Sequence, residues 1–164
     1  MQKSSVFYTQ DVRTYDNASV SRELWISYHL DVHEHLHSLP PFYSLYIWIN
    51  GLVQFQLYRD GEGDAYFDEG KEMLKELEKY EQRSMHIAKR NMVLLLQAEF
   101  YASNCEVNKA KATYLAAIQS SRAYNYQGLA YEKLGNYLSE ICEVSEAEEM
   151  HKNAYVCYMQ WGAQ

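Results

Sequence analysis

The side chains best suited to chemistry lie in the stretch Y28-H-L-D-V-H-E-H-L-H-S-L-P-P-F-Y43, which carries four histidines within nine residues. Imidazole is a frequent ligand of zinc and other transition metals. His29, His33 and His37 are spaced four apart, so neighbours among them could share a metal on one helix face. On a helical wheel His29 borders the apolar stripe and His33 flanks it, whereas His37 points well away from the stripe and His35 lies on the opposite flank. One helix therefore cannot converge all three on one ion, although two of them with a group from elsewhere would suffice.

We expect this stretch to be the polar edge of a helix that stops at Pro40 and Pro41, with no bound metal and no cofactor. His29, His33 and His37 are the metal candidates. The alternative function that they leave open is a small metal-dependent enzyme, or a metal-binding protein, that uses the histidine-rich helix over residues 28–38.

A second stretch, D60-G-E-G-D-A-Y-F-D-E-G-K71, imitates a calcium-binding loop. Its odd positions hold the residues that an EF-hand would use: Asp60, Glu62, Asp64, Tyr66 and Asp68. The sixth position is Ala65, where a glycine makes the sharp bend, and the twelfth is Lys71, where a bidentate glutamate closes the shell. A cation at the closing position repels the ion, so we expect a solvated acidic turn.

The remaining composition favours a non-catalytic helical protein. The 164 residues suit one domain, and two prolines with seven glycines favour long helices. A net charge of −7 without a basic stripe argues against nucleic acid. The most apolar segment, residues 42–58, is interrupted by Asn50, Gln54 and Gln56, so we expect a buried helix and no membrane span. No secretory signal, nucleophile elbow, Walker loop or dinucleotide turn is recognisable, and three cysteines suit a reducing, cytoplasmic compartment.

The periodicity of apolar residues predicts the elements that position these side chains. After an arm over residues 1–15 we predict an all-α domain over residues 16–164, with about seven helices in antiparallel hairpins. The predicted helices are 16–39, 42–58, 65–81, 86–103, 107–121, 124–140 and 145–161.

The chain also repeats, because a shift of 37 residues places F100-Y-A-S-N-C-E-V107 on Y137-L-S-E-I-C-E-V144. Small residues recur where the two helices of each hairpin would cross: Ala98, Ala110 and Ala117, then Gly135, Ala147 and Ala154. The best units are 86–121 and 124–161, and an earlier unit built on Gly51 and Gly70 has a weak register. The spacing is that of a tetratricopeptide-like right-handed solenoid with a lengthened connection, and an irregular helical bundle is the alternative.

The repeat also suggests roles for a few side chains. Cys105, Cys142 and Cys157 could be redox-active, but Cys105 and Cys142 fall on equivalent hairpin positions, so we expect these two to be small apolar packing residues. The inner positions of a tetratricopeptide groove hold Leu95 and Glu99, then Glu132 and Asn136. This is not the lysine and asparagine set that grips a C-terminal carboxylate, so we do not expect chaperone-tail binding.

Four runs resemble the helical-repeat region of large AAA-type signalling ATPases, found in multisensor hybrid histidine kinases and in serine/threonine kinase and cyclase fusions. They are R90-NMVLLLQAEFYA, A110-KATYLAAI, G128-LAYEKLGNYLS and A147-EEMHKNAYVCYMQWGA. The likeness covers about residues 85–163 and is most specific at Tyr158, Trp161, Gly162 and Ala163, while F42-Y-S-L45 is similar to an upstream aromatic turn with one residue missing. The resemblance implies a regulatory repeat segment between an ATPase module and an output module.

The C-terminal helix predicts a contact surface. In A154-Y-V-C-Y-M-Q-W161 seven of eight residues are apolar, so no single face is polar. The preceding hairpin can cover one side through Ala154, Tyr158 and Trp161 or their neighbours. We expect an interaction surface among Tyr155, Val156, Met159 and Trp161, filled by a second copy of the chain as a homodimer, or by neighbouring domains of a larger chain.

Overall fold

The computed structural model describes residues 40–83 and 90–162, and the structural statements below refer to these residues. Six helices follow one another, with turns and no strand in the described part of the chain. They are α1 (Pro40–Arg59), α2 (Asp64–Arg83), α3 (Arg90–Ser103), α4 (Val107–Ser120), α5 (Tyr124–Glu140) and α6 (Val144–Trp161). The all-α prediction is confirmed. The predicted arm over 1–15 and the predicted helix over 16–39 lie outside the described residues, so six helices stand against the predicted seven.

The helices form where the apolar residues recur at helical intervals. Gly70, Leu74 and Leu77 make the buried stripe of the charged helix α2, spaced four and three residues apart. α1 is buried on several faces, as expected for the most apolar segment, with Ile47 and Phe55 1% and 0% exposed. Each helix is thus stabilised mainly by the packing of its apolar face against a neighbouring helix.

Consecutive helices pair into antiparallel hairpins. In the first hairpin the rings of Phe55 and Phe67 lie 5.9 Å apart near the turn, and those of Tyr43 and Tyr80 lie 5.9 Å apart at the far end. α3 pairs with α4, and α5 with α6, in the same sense. We number these hairpins 1, 2 and 3.

The three hairpins turn with the same backbone hydrogen bonds. In hairpin 2 the N–H of Glu106 donates to the carbonyl of Tyr101 (2.9 Å), and that of Cys105 to Ala102 (3.1 Å), which is the Schellman pattern. The same two bonds recur 37 residues later and 44 residues earlier: Glu143 to Leu138, Cys142 to Ser139, Glu62 to Leu57 and Gly61 to Tyr58. The 37-residue spacing read from the sequence is therefore present in the backbone.

The small residues lie where the two helices of a hairpin approach closely. Ala98, Ala110 and Ala117 are all 0% exposed in hairpin 2. In hairpin 3 a Cβ added at Gly135 would lie 2.2 Å from Cδ2 of His151. A larger side chain at the three alanines would push the helices of hairpin 2 apart, whereas the nearest atoms to a Cβ at Gly135 belong to the exposed side chain of His151.

Hairpin 1 follows a different packing. The matching turns, 44 residues apart, put Gln54 and not Gly51 at the position of Ala98. Gly51 instead allows α3 to approach α1 closely, since a Cβ added at Gly51 would lie 2.7 Å from the Leu96 methyls. Gly70 makes room for the Phe55 ring within the hairpin, again at 2.7 Å.

The first helices of the three hairpins pack on one another. Besides its contacts with α3, α1 contacts α5 near both ends of α5: the rings of Trp48 and Tyr126 have centroids 5.7 Å apart, and Arg59 pairs with Glu140. In an extended repeat array each unit contacts only its neighbours, so contact between hairpins 1 and 3 departs from that pattern. The prediction that Leu95 and Glu99 lie in an open groove is wrong, because these residues are 2% and 0% exposed.

Candidate functional site

The most buried charges of the described residues meet where the three hairpins join. Arg59, the last residue of α1, places Nη2 2.7 Å from Oε2 of Glu99, in the middle of α3. Its Nε lies 3.2 Å from Oε2 of Glu140, at the end of α5. Arg59 Nη1 donates to Ser103 Oγ (3.2 Å), and the Tyr114 hydroxyl donates to the other Glu99 oxygen (2.9 Å). We call these five residues the Arg59 cluster.

The electrostatics of the Arg59 cluster keep it charged. Burial lowers the pKa of the Arg59 guanidinium, but Glu99, Tyr114 and Glu140 outweigh burial and raise that pKa above its ordinary value. Burial, followed by the Glu99 carboxylate, raises the pKa of the Tyr114 hydroxyl well above its ordinary value. The side chain of Glu99 is 0% and that of Arg59 11% exposed. A guanidinium that reaches two carboxylates in this way joins hairpins, and sequence reasoning missed it.

A sequence signal for the cluster did exist. Glu99 is the single charged side chain between Asn91 and Ser103, in a helix whose other residues are mostly apolar. A carboxylate that is buried in its charged form in such a helix needs a partner that compensates its charge. The sequence does not say which cation, since Arg59 lies 40 residues away.

The predicted interaction surface lies on α6. Tyr155, Val156, Met159 and Trp161 are 65%, 50%, 47% and 59% exposed, whereas Ala154 faces the hairpin at 4%. The large exposed side chains are those predicted from the all-round apolar composition of this helix, with Trp161 on the exposed side. We call these four residues the α6 surface.

An open groove of about 640 Å³ adjoins the α6 surface, between the end of α5 and the outer side of α6. Tyr155 and Val156 form part of its lining. Its other walls include Ser139, Ala147, Glu148 and His151. The α6 surface and this α6 groove are therefore adjacent.

The cysteine prediction is half right. Cys105 and Cys142 do occupy equivalent positions, with φ of 58° and 64°. The expectation that both are packing residues is wrong, because both are exposed. The left-handed turn position directs its side chain to solvent. Cys157 is buried, its Sγ lies 3.7 Å from Oε1 of Gln127, and burial raises the pKa of its thiol.

The calcium-like stretch is a turn followed by a helix. Gly61 and Gly63 take positive φ values of 85° and 134°, and α2 begins at Asp64, so residues 64–71, two thirds of the would-be loop, are helical. Lys71 pairs with Asp68 (2.6 Å), where a calcium loop would have its closing glutamate. In residues 40–83 and 90–162, no three side chains of His, Cys, Asp or Glu are grouped to hold a metal.

The histidines His29, His33, His35 and His37 lie outside the described residues. The metal hypothesis for residues 28–38 therefore stays a prediction. Elemental analysis of protein purified without a histidine tag tests it, since stoichiometric zinc, iron or manganese would support the metal-dependent alternative.

Fold and surface together define a class: an all-helical protein of paired antiparallel hairpins with an apolar surface on its last described helix. In comparison with known proteins, no family model, no curated protein and no solved structure matches the chain. Among the described helices, none is long and apolar enough to cross a membrane.

Proposed function

We propose that the chain is a non-catalytic scaffold that binds other proteins, built of tetratricopeptide-like hairpins arranged as a right-handed solenoid whose first hairpin also contacts the third. In this proposal it is a cytoplasmic regulatory segment of a larger signalling ATPase, and it binds no nucleic acid. The repeated turn at Cys105 and Cys142 supports the hairpin array, and the resemblance over about residues 85–163 supports the ATPase.

The α6 surface is the single observation that carries the scaffold function. A terminal repeat with no further partner needs a polar outer face for solubility. Here Tyr155, Val156, Met159 and Trp161 are each about half exposed or more. A group of large apolar side chains on a soluble domain marks a contact site.

Site-specific photo-crosslinking tests this function. A photoreactive amino acid at Tyr155 should capture a defined protein partner in cells that express the chain. The same group at Leu115 on α4, which is also exposed at 46%, is the matched control. Equal products at the two positions, or none at Tyr155, would refute the scaffold.

A separate measurement tests the link to an ATPase. An antibody against residues 90–162 should detect a polypeptide much larger than 19.3 kDa in cells that make the native protein and carry no engineered copy. Peptide sequencing of that band should reveal ATPase and output modules. A single band at the mass of this chain would remove the ATPase from the proposal while leaving the scaffold.

A further inference from the structure

The α6 groove is the internal equivalent of a surface that is already occupied elsewhere in the molecule. Moving back 37 residues takes the groove residues of hairpin 3 onto hairpin 2. Ser139, Ala147, Glu148, His151 and Tyr155 correspond to Ala102, Ala110, Lys111, Tyr114 and Ile118. On hairpin 2 these positions form the surface on which α5 packs.

Two contacts hold hairpin 3 against hairpin 2. The ring of Tyr114 lies 5.8 Å from that of Tyr137 on α5. Lys111 pairs with Glu143, in the turn after α5, and more distantly with Glu146 (3.4 Å). An aromatic contact and an ion pair at the end of the helix thus fix α5 on α4.

The same positions are open on hairpin 3. Ile118 is 4% exposed, whereas its equivalent Tyr155 is 65% exposed. Tyr114 is fully buried, whereas its equivalent His151 is exposed. Since the backbone turn is the same in both hairpins, a helix placed on α6 as α5 is placed on α4 would cover these positions.

The charged side chains of the groove indicate which charge a bound helix should carry. Lys111, which pairs with acids of the following hairpin, is replaced by Glu148. Glu148 is exposed, and Lys152, which also lines the groove, lies 3.9 Å from it on the same helix, so the carboxylate occupies the position of Lys111 and the cation lies one turn further along. An occupant with acids at the α5 positions would be repelled here, and one with basic residues would be attracted.

We infer that the α6 groove binds an amphipathic helix of a partner protein, antiparallel to α6, with an aromatic side chain against His151 and a basic one beside Glu148. The helix of a second copy fits less well. Its α5 already buries both Leu134 and Tyr137, and its Glu143 would meet Glu148. This inference names the partner chemistry of the scaffold proposed above and rests on that function.

The probe for the test is a labelled peptide of residues 124–146, the segment that packs on α4 of hairpin 2. In it, Glu143→Lys and Glu146→Lys reverse the charges. A lactam bridge from Asn136→Lys to Glu140 keeps it helical, which circular dichroism verifies. A second peptide with the same bridge keeps both native glutamates.

Fluorescence anisotropy then measures binding of both peptides to the full chain. The charge-reversed peptide should bind saturably, at one site, and at least about tenfold more tightly than the native one. Glu148→Lys should invert this preference. Val156→Asp in the groove wall should weaken binding at least about tenfold, whereas Leu115→Asp, at an exposed position outside the groove, should leave it unchanged. Thermal melts of all three variants verify that they fold.

Three outcomes overturn the inference: no saturable binding, equal binding of the two peptides, or equal binding by the Val156→Asp variant. Sedimentation provides a fourth, because self-association that Val156→Asp abolishes would show that a second copy fills the groove. If the peptide fails while the crosslink at Tyr155 captures a partner, the scaffold stands and only this groove assignment falls. If the peptide binds and the crosslink is empty, the groove accepts a helix but the proposed function is wrong.

Discussion

Arg59 and Glu99 form an ion pair of 2.7 Å between the last residue of α1 and the middle of α3, with the carboxylate fully buried. The guanidinium extends the same contact to Glu140 of α5, so one side chain connects all three hairpins. A buried pair of this kind contributes less through its own attraction than through the cost of losing one partner.

Removing the cation should therefore destabilise the fold strongly. Arg59→Met leaves Glu99 buried with only the Tyr114 hydroxyl, and we expect the free energy of unfolding to fall by about 3–5 kcal/mol. Adding Glu99→Gln to that variant should recover much of the loss, because the buried charge is gone. Urea unfolding measures both.

Arg90→Met is the matched control for that experiment. Arg90 pairs with Glu81 at 3.4 Å and its side chain is 55% exposed, so its loss should cost less than about 1 kcal/mol. Similar losses for Arg59→Met and Arg90→Met would show that the Arg59 cluster does not hold the hairpins together.

Two glycines predict opposite effects of an added methyl group. Gly51→Ala brings a Cβ to 2.7 Å from the Leu96 methyls in the interior, and we expect a loss of about 1–3 kcal/mol. Gly135→Ala meets the ring of His151, an exposed side chain that can turn aside, so the gain in helix propensity of up to about 1 kcal/mol should prevail. Thermal melts that shift in the same direction for both variants would contradict this packing.

The left-handed turn positions predict a stabilising substitution. Cys142 and Cys105 carry side chains at φ values that cost an L-residue about 1–2 kcal/mol, whereas hairpin 1 uses Gly61 there. Cys142→Gly should therefore raise the free energy of unfolding by about 0.5–1 kcal/mol, after the entropy of the new glycine is subtracted. Cys157→Gly, at a buried helical position, should lower it. A loss of stability in Cys142→Gly would mean that the thiol makes a contact worth more than the strain.

Alkaline pH should unfold the chain through its buried tyrosines. Burial raises the pKa values of Tyr43, Tyr114 and Tyr158 above about 10, the value of an unfolded tyrosine. Raised folded values mean that the stability is fully present below about pH 10 and is lost as the pH rises towards the folded values. Urea midpoints across this range, with tyrosinate absorbance, should fall less steeply for Tyr114→Phe than for the parent. A midpoint that stays constant above pH 10 would contradict the burial of these hydroxyls.

Local features of the chain were readable from the sequence. The 37-residue spacing, the crossing residues Ala98 and Gly135 and the apolar residues of α6 all follow from short-range patterns. A turn is determined by a few hydrogen bonds within six residues, and helical periodicity by side chains three and four apart. For that reason the boundaries 124–140 were predicted as the structure has them.

Contacts between distant helices were decided by the tertiary structure. The periodicity did not indicate that Arg59 of α1 would pair with Glu99 and also with Glu140. Glu99, expected in a groove, is therefore part of the interior. The sequence likewise placed Cys105 at a repeat position, but only the left-handed turn showed that it faces solvent. Periodicity states which face of a helix is apolar, whereas the partner of that face depends on which distant segment fits its shape and charge.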